Sequence, residues 1–345
     1  MSLDTFRNFD QYKIDPLSEI RNAGIITNGR VYWVKSPTDS DFNTLQDTVG
    51  RDRMGTGVNA VMTSARNDFN DYILVTPTVS GTPYVVGTAI DVNKRRVHIV
   101  GVGHNKSTYG KPTFRGFGTA DGSDTEIMFV TSEGVEVTGI KLLGTNNTSA
   151  NGTINNGILN LGTSASGTPH GAYFRDVVIE STSAAADNGT ADMVVIEGNV
   201  ATGIQGIRFD DCWIGNFSFA PTNGLVSMSG TAGPKRVEFK NTTFVLDAQA
   251  TTDVFVTSGT GVMEYSTYEN CKFINVEAGT APASVIAGAT LADNPVLMFD
   301  CKGVNVTAFG TDTEVLITPN QSGTLGGGVH NPGIAFVGTG LISEA

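Results

Sequence analysis

Six short segments of the chain repeat one grammar, and that repetition limits the fold more than any other feature. An apolar residue, a variable one, a Gly, Asp or Asn, a small or apolar residue and a further alternating pair recur. They read VTGIKL from Val137, FRDVVI from Phe174, FDDCWI from Phe209, FKNTTF from Phe239, YENCKF from Tyr268 and MFDCKG from Met298. Aligned, they place Gly139, Asp176, Asp211, Asn241, Asn270 and Asp300 in one column, at spacings of 37, 35, 30, 29 and 30 residues. A period near 30 that carries strand-like alternation predicts a solenoid in which each repeat is one coil stacked on the last.

The next column holds Ile140, Val177, Cys212, Thr242, Cys271 and Cys301, so all three cysteines occupy one repeat position. Equivalent side chains on neighbouring rungs of a stacked sheet lie about 4.8 Å apart and point the same way. The cysteines are therefore expected as a ladder of buried thiols that pack as small apolar groups, not as a metal cage. A tetrahedral metal site needs four ligands, and the chain has no CxxC and no nearby His pair. The column of Asp211, Asn241, Asn270 and Asp300 is expected at a bend, where short polar side chains tolerate unusual dihedrals and bond neighbouring backbone. Amides stacked there can also bond along the rod. The structural ladder predicted from the repeat is thus Asp211, Asn241, Asn270 and Asp300 beside Cys212, Thr242, Cys271 and Cys301.

A weaker strand precedes each motif: IMFV from Ile127, ILNL from Ile158, VVI from Val194, LVSM from Leu225, VFV from Val254 and SVIA from Ser284. Each coil then has at least two strands joined by turns of Gly, Asn, Thr and Ser. Gly makes up 42 of 345 residues, about 12% against the usual ~7%, and the turns account for the excess. Length alone would suggest two domains, but a solenoid has no globular limit on core size, so one long domain is expected.

Charged residues are 16% of the chain and the net charge is −12, with no basic run. A phosphate-backbone partner is excluded as the main ligand, so no nucleic acid is expected. No apolar stretch approaches the ~20 residues of a membrane span. The first twenty residues, MSLDTFRNFDQYKIDPLSEI, lack a basic region followed by an apolar run, so no signal peptide is expected. Three unpaired cysteines fit a protein made in a reducing cytosol.

The front of the chain divides in two. Phe6, Phe9, Tyr12, Ile14, Leu17 and Ile20 are irregularly spaced among charges and read as an arm with docking residues. From about residue 29 follow a strand, a polar turn, a short helix from Asp41 to Val49, a strand stopped at Pro77, and the strand KRRVHIVGVG. The expected organisation is an attachment arm (1–28), a strand and helix cap (29–94), the coils (95–310) and a Gly-rich tail (311–345).

The run RVYWV, DFNTLQDTV, DYILVTPT and AIDVNKRRVHIVGVG resembles the opening of right-handed parallel β-helix proteins of the pectin-lyase-like superfamily. In that pattern an opening strand and short helix precede a D-x-I-x-V-x-P-G strand and a V-x-I-x-G-x-G first rung; here Thr78 stands where the pattern has Gly. The layout, ending in GIAFVGTGLISEA, is similar to β-helix structural proteins of tailed bacteriophages. The resemblance implies an all-β, right-handed parallel β-helix with a short N-terminal capping helix and an arm.

The superfamily includes pectate lyases, polygalacturonases, pectin esterases and phage depolymerases, so catalytic patterns must be sought. The segment FDDCWIG from Phe209 is similar to the Asp-Asp-Cys segment of polygalacturonases, where paired carboxylates act as acid and base. Its partners are missing: residues 187–192 read DNGTAD where Asn-Thr-Asp is needed, and the downstream stretch reads TAGPKRV where Gly-His-Gly is needed. Calcium needs about 6 to 8 oxygens, yet the outward row Thr138, Arg175, Asp210, Lys240, Glu269 and Phe299 alternates in sign. No catalytic, metal or cofactor residue is therefore expected. The expected function is that of a noncatalytic virion protein, a capsid decoration or head-fibre rod made in the host cytoplasm. It would dock on the major capsid protein or other virion proteins, form a homo-oligomer with a trimer favoured, and present a surface toward a host glycan. The alternative is a tailspike depolymerase or glycan-binding adhesin.

Overall fold

The structure, a computed structural model, describes residues 29–309 and the backbone of four strands between 315 and 337. Within that span, residues 79–80, 103–109, 118–125, 146–156, 163–166, 182–191, 199–202, 216, 218–223, 231–232, 249, 259–264, 278, 283 and 289–295 are outside the description. The arm residues Phe6, Phe9, Tyr12, Ile14, Leu17 and Ile20 also lie outside the described residues.

The chain winds as a right-handed parallel β-helix of three long sheets with twelve, ten and seven strands, beside a two-stranded pair of Ile204–Gln205 and Pro234–Lys235. One coil is typified by residues 208–229. Arg208–Asp210 lies in the first sheet, Trp213–Gly215 in the second and Val226–Ser229 in the third, before the chain re-enters the first sheet at Glu238–Lys240. The repeated sequence motif is thus two strands and the corner between them. Among the described residues, pairing is parallel throughout the coils, and antiparallel pairs appear only at the carboxyl end, where Phe336–Val337 returns against Val315–Ile317 and Gly328–His330 against Ser322–Leu325.

Alternation within each strand sends one set of side chains inward. In the first sheet the inward column runs Tyr32, Ile73, Ile99, Val137, Phe174, Phe209, Phe239, Tyr268 and Met298, all in direct register. Its aromatic members stack face to face: Phe174 on Phe209 at 4.9 Å, Phe209 on Phe239 at 4.9 Å, and Phe239 on Tyr268 at 5.0 Å between ring centroids. A second stack, Phe244 on Phe273 at 4.8 Å, rises from the second sheet. The repeat, 29 to 35 residues long over these coils, therefore places each ring one strand spacing from its equivalent, and the core is a continuous column rather than a central cluster.

Both ends of this column need closure, because an exposed coil would offer unpaired edges. At the amino end, α1 (Phe42–Val49) buries Leu45 with Trp33, Met54, Tyr72, Leu74 and Val102 in a cluster separate from the main core. A second helix, α2 (Val58–Met62), sends Val58, Val61 and Met62 into the main core and closes it, while the Tyr32 hydroxyl donates to the Ser64 carbonyl at 2.6 Å. The sequence pointed to α1 alone; five residues are too few to carry a helical period. At the carboxyl end Gly303 leaves a gap in the aromatic column that Val306 and Phe309 fill, with Phe309 meeting Phe273 edge-on at 6.5 Å. No helix among the described residues is long and apolar enough to cross a membrane.

The stack makes a sharp prediction about position. Phe239→Ala removes a ring fully enclosed by two stacked neighbours and should cost about 3–5 kcal/mol. Phe217→Ala, at a ring 64% exposed, should change stability by no more than about 0.5 kcal/mol. Urea unfolding of the two variants tests this, and equal losses would contradict the interior column.

Candidate functional site

The corner between the first and second sheets is made by the column read from the repeat. Gly139, Asp176, Asp211, Asn241, Asn270 and Asp300 all adopt left-handed backbone, with φ of 67°, 54°, 53°, 50°, 51° and 52°. Gly, Asn and Asp are the residue types that enter this region at least cost. Five of the six corner N–H groups donate along the rod to the next coil: Gly139 to the Arg175 carbonyl at 3.0 Å, Asp176 to Asp210 at 2.9 Å, Asp211 to Lys240 at 3.1 Å, Asn241 to Glu269 at 2.9 Å and Asn270 to Phe299 at 2.8 Å. The side chains continue this only in part. Asn270 Nδ2 donates to Asn241 Oδ1 at 2.8 Å, but Asn241 Nδ2 reaches the Asp210 carboxylate at 3.2 Å instead of Asp211. The amide chain thus leaves the corner for the outer face of the first sheet, where a carboxylate is the stronger acceptor.

Behind the corner lie Cys212, Thr242, Cys271 and Cys301, one per coil. Each donates to backbone carbonyls: Cys212 Sγ to Phe174 at 3.5 Å, Cys271 Sγ to Phe239 at 3.3 Å, Cys301 Sγ to Tyr268 at 3.4 Å, and Thr242 Oγ1 to Lys240 at 3.1 Å. The three thiols are free and buried. Burial pushes Cys212 up to about 12 and raises Cys271 well above the ordinary thiol range. Thiolate is the reactive form, so these sulfurs are chemically quiet.

The outer face of the first sheet carries the densest set of ionisable groups that the repeat lines up. Two outward columns run along it. One is Tyr72, His98, Glu136, Tyr173, Arg208 and Glu238, and the other is Thr138, Arg175, Asp210, Lys240, Glu269 and Phe299. The second column was read from the sequence; the first was missed, although stepping back one residue from each inward motif position exposes it. Tyr72 and His98 stack at 4.4 Å, and His98 Nδ1 meets Glu136 Oε2 at 2.7 Å. Arg208 pairs with Glu238 at 2.6 Å and Lys240 with Glu269 at 2.9 Å, while the Tyr173 hydroxyl donates to Asp210 at 3.3 Å.

These contacts decide what the face can do. The hydrogen bond from His98, with help from the nearby His98 and Arg175 charges, holds Glu136 below the usual carboxylate range despite its burial. A general acid needs the opposite shift, so that it keeps its proton near neutrality. Glu136 and Asp210 are also two rungs apart, about 10 Å along the axis, with Tyr173 between them in register with both strands. Among the described residues, no group of three or more His, Cys, Asp or Glu side chains is arranged to hold a metal ion.

Two further features lie off this face. An open cavity of about 810 Å³ sits at the amino end, lined by Thr38, Thr56, Val58, Asn59, Tyr84, Val85 and Phe114 among others, with no ionisable group but Tyr84. Asp192, at the turn into the strand Val194–Glu197, is 8% exposed, and burial lifts its carboxyl to about 7.

The sequence matches no protein-family model and no curated protein. The fold is shared with solved pectin methylesterases. One, crystallised with a hexasaccharide, aligns with a TM-score of 0.52 at 12% identity over 86% of this chain and 90% of that one. The Erwinia chrysanthemi enzyme PemA aligns at 0.51 and 12% identity over 88% and 92%. ORF18 of Geobacillus virus E2 aligns at 0.31 and 12% identity over 77% and 56%, a likeness too slight to bear on function. At these identities the likeness establishes the pectin-lyase-like parallel β-helix fold and nothing finer.

Two outcomes follow for the buried groups. The three thiols of the native protein should resist alkylation by iodoacetamide at pH 8 and react fully in urea; rapid labelling of the folded protein would contradict their burial. Asp192 binds a proton more tightly folded than unfolded, so it lowers stability as pH rises from about 4 to 7, by up to about 4 kcal/mol for a shift of roughly three units. The advantage of Asp192→Asn over wild type in urea unfolding should therefore grow from pH 4 to pH 8. A difference that is flat across that range would show the carboxyl to be solvated.

Proposed function

We propose that this chain is a noncatalytic structural protein of a bacteriophage virion, a capsid decoration or head-fibre rod that docks on the major capsid protein or another virion protein. The observation that carries the reading is the pairing of charge on the outer face of the first sheet. Arg208 with Glu238 and Lys240 with Glu269 neutralise one another across rungs, and His98 hydrogen-bonds Glu136 in the same way. Glu136 is held below the usual carboxylate range by its hydrogen bond to His98, which suits a rigid wall better than a general acid. The quiet, buried thiols and the continuous aromatic column have the same character: they stabilise a rod.

Docking is assigned to the arm. Phe6, Phe9, Tyr12, Ile14, Leu17 and Ile20 are too irregular for an amphipathic helix. Burial of such side chains against a partner contributes about 1.5 to 3 kcal/mol each before ordering costs. The rod closes its amino end with α2, and the β-helix is expected to fold without the arm. The second reading, a glycan-binding adhesin or depolymerase, draws support from the fold shared with pectin methylesterases, one of which was crystallised with a hexasaccharide.

The test is association with particles. The full chain should co-purify with intact virions at a fixed copy number relative to the major capsid protein. Deletion of residues 1–24 should leave a soluble β-helix that no longer joins them, and full occupancy by the truncated protein would place docking elsewhere. Release of reducing or unsaturated sugars from host polysaccharide, abolished by Asp210→Asn, would establish the depolymerase instead.

A further inference from the structure

Among the described residues, the pattern of cross-rung neutralisation is broken on the second sheet. On the outer face of the second sheet, one column runs Lys141, Val178, Trp213, Thr243, Lys272 and Lys302 in direct register. Lys141 at the start of it is paired with Glu180 at 2.6 Å. Lys272 and Lys302 are adjacent, both exposed, and neither makes an ion pair among the described residues. Strands lie about 4.8 Å apart, and like charges directly opposite one another destabilise a sheet. A chain of net charge −12 has carboxylates to spare for this position, yet none among the described residues pairs with either lysine.

The surroundings of the pair are apolar and aromatic. Beside the lysines in the neighbouring outward column stand Ile274 and Val304, the latter 43% exposed. Two rungs back from Lys272 in the same column lies Trp213, its Nε1 already donating to the Gly215 carbonyl at 2.7 Å. Its polar edge is therefore satisfied and its ring is left for packing. Phe217, 64% exposed, meets Trp213 edge-on at 6.1 Å. Thr243 supplies a hydroxyl between the tryptophan and the lysines.

We propose that this stripe of the second sheet, from Trp213 and Phe217 through Thr243 to Lys272 and Lys302, binds an acidic polysaccharide. Unneutralised lysines on consecutive rungs complement carboxylate or sulfate groups borne at intervals along a polymer. The exposed Phe217 ring and the half-buried Trp213 ring complement the apolar faces of sugar rings, which polyglutamate does not present. The protein's overall negative charge repels anions at long range, so recognition depends on the local pair and is short-ranged. The inference does not rest on the virion reading, because a surface-attached or a free glycan of this chemistry would engage the stripe in the same way.

The experiment measures retention of the full chain at low salt on immobilised hyaluronan, dextran sulfate, neutral dextran and polyglutamate. Wild type should bind the two acidic polysaccharides and pass through neutral dextran. The Lys272→Gln, Lys302→Gln double variant should bind both at least about ten-fold more weakly. Phe217→Ala, which removes an exposed ring outside the core, should weaken hyaluronan binding about three-fold or more. Without glycan, Lys302→Glu should raise the melting temperature by relieving the repulsion, and the same melts verify that each variant is folded. Undiminished binding by the folded double variant overturns the proposal. Retention on polyglutamate as strong as on hyaluronan and indifferent to Phe217 also overturns it, in favour of an acidic protein partner.

Discussion

A left-handed residue at the corner between the first two sheets is the constraint on which the rest of the molecule depends. With φ between 50° and 67° at Gly139, Asp176, Asp211, Asn241, Asn270 and Asp300, the chain turns sharply enough for one short motif to supply two strands. The corner N–H groups then bond along the axis to the next coil. Register follows, because a slip of one residue would move every inward ring to solvent. The aromatic column, the thiol ladder and both outward rows of the first sheet inherit their alignment from that corner.

Charge pairing is the second consequence. Once register is fixed, outward residues on consecutive coils become neighbours, and the face of the first sheet resolves into pairs such as Arg208 with Glu238 and Lys240 with Glu269. Exposed pairs of this kind contribute little each, at most about 1 kcal/mol. Their value lies in avoiding like-charge contacts between coils that the backbone forces together. Lys272 and Lys302 stand out against that background, since the same geometry that pairs charges elsewhere sets two of one sign on adjacent strands there. Groups that lower stability without evident compensation are where function is expected.

Much of this was legible in the sequence, and for a physical reason. A solenoid writes its geometry as a period, so the corner column, the cysteine column and the strands flanking them could be aligned without coordinates. The row Glu136, Tyr173, Arg208 and Glu238 was equally present but needed the inward residue of each motif to be identified first. Other features carried no periodic signal. The five residues of α2 are too short to show a helical pattern, and Phe309 plugs the gap at Gly303 from outside the repeat. The side chain of Asn241 chooses Asp210 over Asp211, a matter of rotamer and distance. Asp192 lies two residues before the nearest motif position, Val194, in a turn that carries no periodic signal.

Amide hydrogen exchange tests the dependence on the corner most directly. The N–H groups of Asp176, Asp211, Asn241 and Asn270 sit where a chain reversal would ordinarily be solvated, yet here they bond from coil to coil. They should exchange only with global unfolding, as slowly as the strand amides of Phe209 and Phe239. Exchange at these corners many-fold faster than in the adjoining strands would show that the sheets hold the coils in register without them, and would contradict the account.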